Sequence, residues 1–194
     1  MRREFICLLG FFMSLLFVFS CNSGSRYSQD MAGFEMIQND LKKKFGDDAY
    51  YTDISIINSP GEGTGSGISL HLTVTKDPKS LKMQEWAYNS QTNWNNTADI
   101  TLEIPEGDSA TDFMYQLNGN FDLKNIGELV ENSVKKITSE KDIENVVLDM
   151  VLLKTPDNTD VSGTTIFIRM KPENGGTAFN FRYALTGELL SFDY

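Results

Sequence analysis

Two stretches of this chain, residues 53–76 and 149–172, share one pattern, and that pattern restricts the fold more than any other feature of the sequence. Set DISIINSPGEGTGSGISLHLTVTK over DMVLLKTPDNTDVSGTTIFIRMKP at a constant spacing of 96, without a gap, and Asp53 meets Asp149, Pro60 meets Pro156 and Gly67 meets Gly163. Ile54, Ile56 and Ile57 then fall on Met150, Leu152 and Leu153, and Leu70, Leu72 and Val74 fall on Ile166, Ile168 and Met170. Alternation of period two on either side of a loop rich in Pro and Gly specifies strand, loop, strand. A chain that carries this block twice is expected to build one unit twice.

The flanking sequence extends each unit in the same way. Trp86-Ala87-Tyr88, the polar turn NSQTN and the alternation from Trp94 to Ile104 form a second hairpin in the first half, and AFNFRYA, Thr186-Gly187-Glu188 and LLSFDY form one in the second. Trp86-Ala87-Tyr88 then corresponds to Phe181-Arg182-Tyr183. Before each set of strands comes a helical stripe: Phe34, Ile37, Leu41 and Phe45 with a stop at Gly46, and Ile126, Leu129, Val130, Val134 and Ile137 behind Asp122 as N-cap. Spacing of three and four residues places each stripe on a helix face that packs against a sheet.

The expected class is therefore α+β, a tandem repeat of a helix plus a four-stranded antiparallel meander. Its parts are a first repeat at residues 31–104, a linker at 105–121 with a short helix near Asp112 to Leu117, and a second repeat at 122–194. A sheet covered by helix on one face leaves the other for solvent or a partner. Trp86, Tyr88 and Trp94, with Phe179, Phe181 and Tyr183, either close the core or form an exposed aromatic surface that anchors a protein partner. The layout and the closing YALTGELLSFDY resemble PepSY-type and β-lactamase-inhibitor-like domains of the bacterial envelope, some of which are tandem pairs. That resemblance covers topology and one turn motif, and it implies no functional residue.

The N-terminus gives an address. Arg2 and Arg3 precede the apolar run FICLLGFFMSLLFVF, which ends at Ser20 and Cys21, the three-part layout of a secretory signal peptide. The run is shorter than the roughly 20 apolar residues that cross a bilayer. A short anchor that is never cut is the alternative. Val18-Phe19-Ser20-Cys21 resembles the lipobox of bacterial lipoproteins. The resemblance implies that residues 1–20 are a signal peptide cut before Cys21, that Cys21 carries a diacylglyceryl group and a further acyl chain such as palmitate, and that the domain hangs from a membrane. Each buried CH₂ contributes about 0.8 kcal/mol, so two or three chains hold far more firmly than one. Residues 21–30 are then a lipidated, flexible tether.

Of the two cysteines, Cys7 would be discarded and Cys21 lipidated, which leaves no thiol for a disulfide, a nucleophile or a zinc site. Loss of Arg2, Arg3 and Glu4 from 17 basic and 27 acidic side chains leaves 15 and 26, a formal charge of −11, so nucleic acid is not an expected partner.

The chemistry that remains is thin. Residues 61–67 (GEGTGSG) join two strands and lack the following helix and lysine of a phosphate loop. Residues 156–160 (PDNTD) lack the spacing, central glycine and distal glutamate of a calcium loop. His71, the single histidine, alternates away from Leu70, Leu72 and Val74 onto the solvated face. Ser133 and Lys136 match Ser-x-x-Lys, without its companion motifs. No catalytic residue, metal or cofactor is assigned, and Cys21 is the single site residue. The expected function is that of a lipid-anchored envelope protein that binds a partner at an exposed sheet face. A hydrolase with acidic residues in a cleft between the repeats, or a structural spacer, is the alternative.

Overall fold

Two aspartates start the two helices of the structure, a computed structural model that describes residues 26–59, 67–155 and 161–194. Asp30 accepts the Gly33 N–H at the head of α1 (Met31–Phe45), and Asp122 accepts the Lys124 N–H at the head of α2 (Leu123–Lys141). Each carboxylate satisfies one of the amide donors that a helix start leaves without a partner. Gly46, at φ 100°, closes α1, and Asp142, at φ 53°, closes α2. After α1 come β1 (Tyr50–Ser59), β2 (Gly67–Thr75), β3 (Lys82–Asn89) and β4 (Asn93–Thr101). After α2 come β5 (Val146–Lys154), β6 (Thr165–Pro172), β7 (Phe179–Ala184) and β8 (Leu189–Asp193).

All eight strands belong to one antiparallel sheet of order β4-β3-β2-β1-β5-β6-β7-β8. The class is mixed α+β, with two helices on an eight-stranded antiparallel sheet rather than two separate four-stranded layers. The joint is the β1–β5 ladder, where Asp53 to Ile57 pair with Lys154 to Met150. Both helices lie on the same face. Beneath them are buried Tyr51, Ile54 and Ile56 of β1, Leu70, Leu72 and Val74 of β2, Leu148, Val151 and Leu153 of β5, and Ile166, Ile168 and Met170 of β6. Removing each such side chain from water contributes about 1.5–3 kcal/mol, so this strip dominates the stability. The helices run antiparallel: the Met31 N–H donates to Glu131 Oε1 at 2.9 Å, and the Leu123 N–H donates to Gln38 Oε1 at 2.7 Å.

The gapless spacing of 96 is corrected in β1 and β5. Ile54 and Ile56 face the helices, whereas Met150 and Leu152 face the other way. Both strands carry a bulge, between Tyr51 and Asp53 and between Leu148 and Met150. A bulge inserts one residue and flips the alternation beyond it. The two bulges stand at the same place and leave the halves in step, so the buried residues Tyr51, Ile54 and Ile56 match Leu148, Val151 and Leu153 at a spacing of 97 while β2 and β6 keep 96; the one-residue difference lies in the connection, 13 residues between Ile56 and Leu70 against 12 between Leu153 and Ile166.

Residues 102–121 are not a loose linker. β4 stops at Thr101 instead of Ile104: the Leu102 N–H still bonds the Leu81 carbonyl in register with the ladder, but Leu81, at φ 57°, turns the partner strand away there. The expected helix near Asp112 to Leu117 is a 3-10 turn at Ala110–Phe113, held by the Ser109 and Asp112 capping box. Ala110 and Met114 pack on Met83, which lies on the side of β3 away from the helices, together with Tyr50, Ile100, Leu102 and Ile104. Tyr115 then exchanges backbone hydrogen bonds with Tyr51, donates its hydroxyl to the Leu153 carbonyl at 2.9 Å and stacks on Phe121. The segment is a strap that crosses from one face of the sheet to the other.

The tether expectation also needs correction over residues 26–30. Tyr27 is 1% exposed, packs on Tyr88 and donates to Asp40 Oδ2 at 2.8 Å, while Arg26 pairs with the same carboxylate at 2.7 Å. Gln29 Oε1 accepts the Leu148 N–H at 2.7 Å. The polar composition of this stretch conceals one aromatic ring, and that ring fastens it to the fold.

Candidate functional site

Alternation along the strands turns every second side chain to the face without helices. One row runs across seven strands through Ala87, His71, Ser55, Leu152, Phe167, Arg182 and Ser191. Next to it lie Ser69, Ile57, Met150, Arg169 and Asn180, and on the other side Glu85, Thr73, Asp53, Lys154 and Thr165. Ile57, Met150, Leu152 and Phe167 are half-buried and make an apolar centre over the β1–β5 joint, and among the described residues they belong neither to the core under the helices nor to the cluster under the strap. The strap covers this face at the β3 and β4 end and leaves the centre open.

Charge surrounds that centre. Asp149, the residue at the β5 bulge, accepts from Lys171 Nζ at 2.5 Å and from Arg169 Nε. Burial works against ionisation of this carboxyl, and hydrogen bonds from Lys171 and Arg169 more than offset it, so its pKa lies below the ordinary carboxylate value. Arg182 donates to Thr165 Oγ1 at 3.2 Å. On the first-half side the face dips into a polar depression of about 410 Å³ lined by Asp53, Ser55, His71, Thr73, Glu85, Thr97 and Lys154, with Leu152 at its margin.

Ser55 and His71 stand directly opposite one another across β1 and β2 in this depression, with Asp53 one pair further along. A nucleophile and its base need a hydrogen bond and an orienting acid behind the base. Ser55 and His71 are not joined by a hydrogen bond, and His71 is exposed, as its alternation predicts. Asp53 and Glu85 lie two strands apart, roughly 10 Å at the usual strand spacing. Where a hydrolase would need a cleft between the halves, the β1–β5 ladder closes the joint.

A second concavity, a groove of about 640 Å³, lies on the helix side where α1 ends, lined by Phe45, Val74, Thr75, Lys76, Asp77, Lys82, Met83, Gln84 and Ile100. Beside it Lys44 Nζ sits 4.1 Å from the centre of the Trp86 ring, and Trp94 meets Phe45 edge-on.

The aromatic residues singled out by sequence close the core. Tyr88, Phe179, Phe181 and Tyr183 are buried, and Trp86 and Trp94 pack partly buried against them. Ser133 is also sealed: it is fully buried, donates to the Leu129 carbonyl at 2.8 Å and shares a hydrogen bond with the Tyr183 hydroxyl. Lys136 turns instead to Glu140. Cys21, most of the glycine-rich loop and residues 156–160 lie outside the described residues, and Gly67 opens β2 at φ 97°. Among the described residues no three His, Cys, Asp or Glu side chains gather as metal ligands, and no helix is long and apolar enough to cross a membrane. Sequence reasoning missed Met150 and Leu152 as surface residues and the strap as a cover, and the β5–β6 connection, one residue shorter than the β1–β2 connection, accounts for the first. No protein family, curated protein or solved structure matches the chain significantly.

Proposed function

We propose that this protein is a lipid-anchored component of the bacterial envelope that binds a macromolecular partner and is not itself a catalyst. Cleavage between Ser20 and Cys21 leaves Cys21 as the lipid attachment site, and the open sheet face is the surface that receives the partner. The observation that carries the binding reading is the half-buried centre Ile57, Met150, Leu152 and Phe167, left uncovered by both helices and the strap and ringed by Lys154, Arg169 and Arg182. An apolar centre with a polar, charged rim is the anatomy of a protein interface. Leu152→Arg should abolish crosslinking to envelope proteins without lowering the unfolding temperature by more than a few degrees, and unchanged crosslinking would remove the face from consideration. The anchor is tested by intact mass after expression in a bacterial host. Cys21→Ala should change the mass, the cleavage site and membrane partitioning together.

The finer architecture is a duplication: a helix and a four-stranded meander, used twice and joined edge to edge. Supporting it are the two bulges at matching places and the β1–β5 register, in which Ile54 pairs with Leu153 and Ile56 with Val151 around a central Ser55–Leu152 pair. At a spacing of 97 that register maps onto itself, as a two-fold axis through the joint requires. Superposition of the two halves with every helix and strand in order is the check. The rival hydrolase reading rests on the depression holding Asp53, His71 and Glu85. Loss of any measured hydrolysis in Glu85→Gln with partner binding intact would favour it.

A further inference from the structure

Resting on the reading of the open face as a binding surface, we propose that its partner is a second copy of this chain, packed face to face about a two-fold axis that runs along the strands over the β1–β5 joint. A two-fold interface presents one patch twice, so the patch must complement itself. The open face does so in shape and in charge, because features on one side of the joint have their counterparts at the same distance on the other. The axis sets β1, β2 and β3 of one copy against β5, β6 and β7 of the second.

The row Ala87, His71, Ser55, Leu152, Phe167 and Arg182 crosses the joint between Ser55 and Leu152. On the β1–β3 side it runs into the depression of about 410 Å³, and on the β5–β7 side it carries the half-exposed Phe167 ring and the exposed Arg182 side chain. Turned about the axis, Phe167 of one copy comes over His71 of the other, inside the depression, and Ile57 comes over Met150. Sheets packed in this way lie about 10 Å apart. Seven strands about 4.8 Å apart and three rows about 6.6 Å apart give a footprint of about 700 Å² per copy, within the roughly 600–1,000 Å² per partner of a stable interface.

Charge selects the axis. The residues of β1–β4 that point to the open face include Asp53 and Glu85 and no Lys or Arg, and the strap at that side adds Glu103, Glu106, Asp108 and Asp112, with Lys79 beside it. Those of β5–β7 include Lys154, Arg169, Lys171 and Arg182 against Asp149, which Arg169 and Lys171 already bind; Glu188 and Asp193 lie out at the β8 edge. With the axis along the strands, Arg182 of one copy stands one row, about 6.6 Å, from the place opposite Glu85 of the other, within reach of both side chains. An axis across the strands instead sets Asp53 and Glu85 against the acidic strands of the second copy, and Arg169 and Arg182 against the basic ones. A chain of formal charge −10 repels its own copy, so the arrangement that pairs like with like is unfavourable and the one that pairs acid with base remains.

The test uses the full chain as expressed in a bacterial host, held in detergent, with native mass spectrometry reading the fraction of dimer at micromolar concentration. The parent should be dimeric. Glu85→Arg sets two basic side chains together twice in each dimer, and Arg182→Glu sets two acidic ones together twice, so each variant alone should lower the dimer fraction several-fold. Neither side chain is part of the core, so the fold is not at risk. An equal mixture of the two variants should restore the dimer, because both contacts of the mixed pair again join Arg with Glu. A monomeric parent, single variants as dimeric as the parent, or a mixture that stays monomeric would each overturn the proposal. The two readings fail separately: a monomeric parent whose crosslinking to a different envelope protein is still abolished by Leu152→Arg refutes the second copy and keeps the face as a binding surface, whereas a monomeric parent whose crosslinking is unchanged by Leu152→Arg refutes both.

Discussion

Gly127 sits inside α2, where glycine is expected to weaken a helix, and Gly127→Ala tests the reason for it. By helix propensity alone the change should stabilise by about 1 kcal/mol. Packing points the other way. A Cβ at 127 would lie 2.7 Å from Met31 Cα, 3.0 Å from Phe34 Cβ and 3.2 Å from the Asp30 carbonyl oxygen. Two of these three atoms are backbone, so no side-chain rotation relieves the contact. α1 cannot slide away freely either, because the Met31 amide is held by Glu131 and the Leu123 amide by Gln38. Overpacking costs about 1–3 kcal/mol, and an approach of 2.7 Å to a backbone atom belongs in the upper part of that range, about 2–3 kcal/mol. The net expectation is a loss of about 1–2 kcal/mol, which lowers Tm by roughly 3–6 °C in a domain of this size. Thermal unfolding followed by circular dichroism, with urea midpoints as a second measure, reads the difference. A Tm equal to or above that of the parent would refute the close helix crossing and leave propensity as the governing effect.

Three further outcomes follow from the buried polar groups and the docked N-terminal segment. Asp149 has a pKa below its ordinary value, so its contribution is present above that value and is lost as pH falls through the folded one. The gap in urea midpoint between the parent and Asp149→Asn should therefore shrink on acidification, and a constant gap would contradict the ion cluster. Burial raises the phenols of Tyr27, Tyr51 and Tyr115, the first also through its bond to Asp40, so their contribution is whole below pH 10 and declines as pH rises beyond it. Phenolate absorbance of the folded protein should trail that of the urea-unfolded chain as pH rises, with Tyr183, also raised by burial, adding to the lag, and coincident curves would refute their burial. Tyr27→Ala should release residues 26–30, seen as faster proteolysis in that segment with the remaining domain intact, and unchanged cleavage would mean that Gln29 and Arg26 suffice to hold it.

Much of the fold is legible before any coordinates. Asp122, Gly46 and the stripes of Phe34 and Ile126 place both helices, and alternation places all eight strands within a few residues, because caps and periodicity are local properties. What stays hidden is whatever depends on a partner strand. The bulges between Tyr51 and Asp53 and between Leu148 and Met150 break alternation by one residue, and the sequence shows only that Met150 and Leu152 are apolar. Their placement on the open face follows from the ladder alone. The union of the sheets is hidden for the same reason, since no residue of β1 or β5 advertises which edge it will join. Tyr27 and Met114 were hidden in another way: Tyr27 is an isolated ring in a polar stretch, Met114 lies in the run Phe113-Met114-Tyr115, too short to show a period, and each owes its burial to distant neighbours.

The joint between β1 and β5 also shapes how the chain must fold. Its paired residues lie about a hundred positions apart, and contacts of that separation form late and slowly. Until β5 arrives, β1 presents a bare row of amides and carbonyls, the kind of edge that recruits strands from other chains. The strap reaches β1 first in chain order, and through Tyr115 it takes up both backbone groups of Tyr51 on the edge that β5 will later join. In the folded protein the same tyrosine is tied to β5 as well, through the hydroxyl that it donates to the Leu153 carbonyl. A segment that sequence alone marks as a spacer thus staples both strands of the joint, one through its backbone and the other through a hydroxyl.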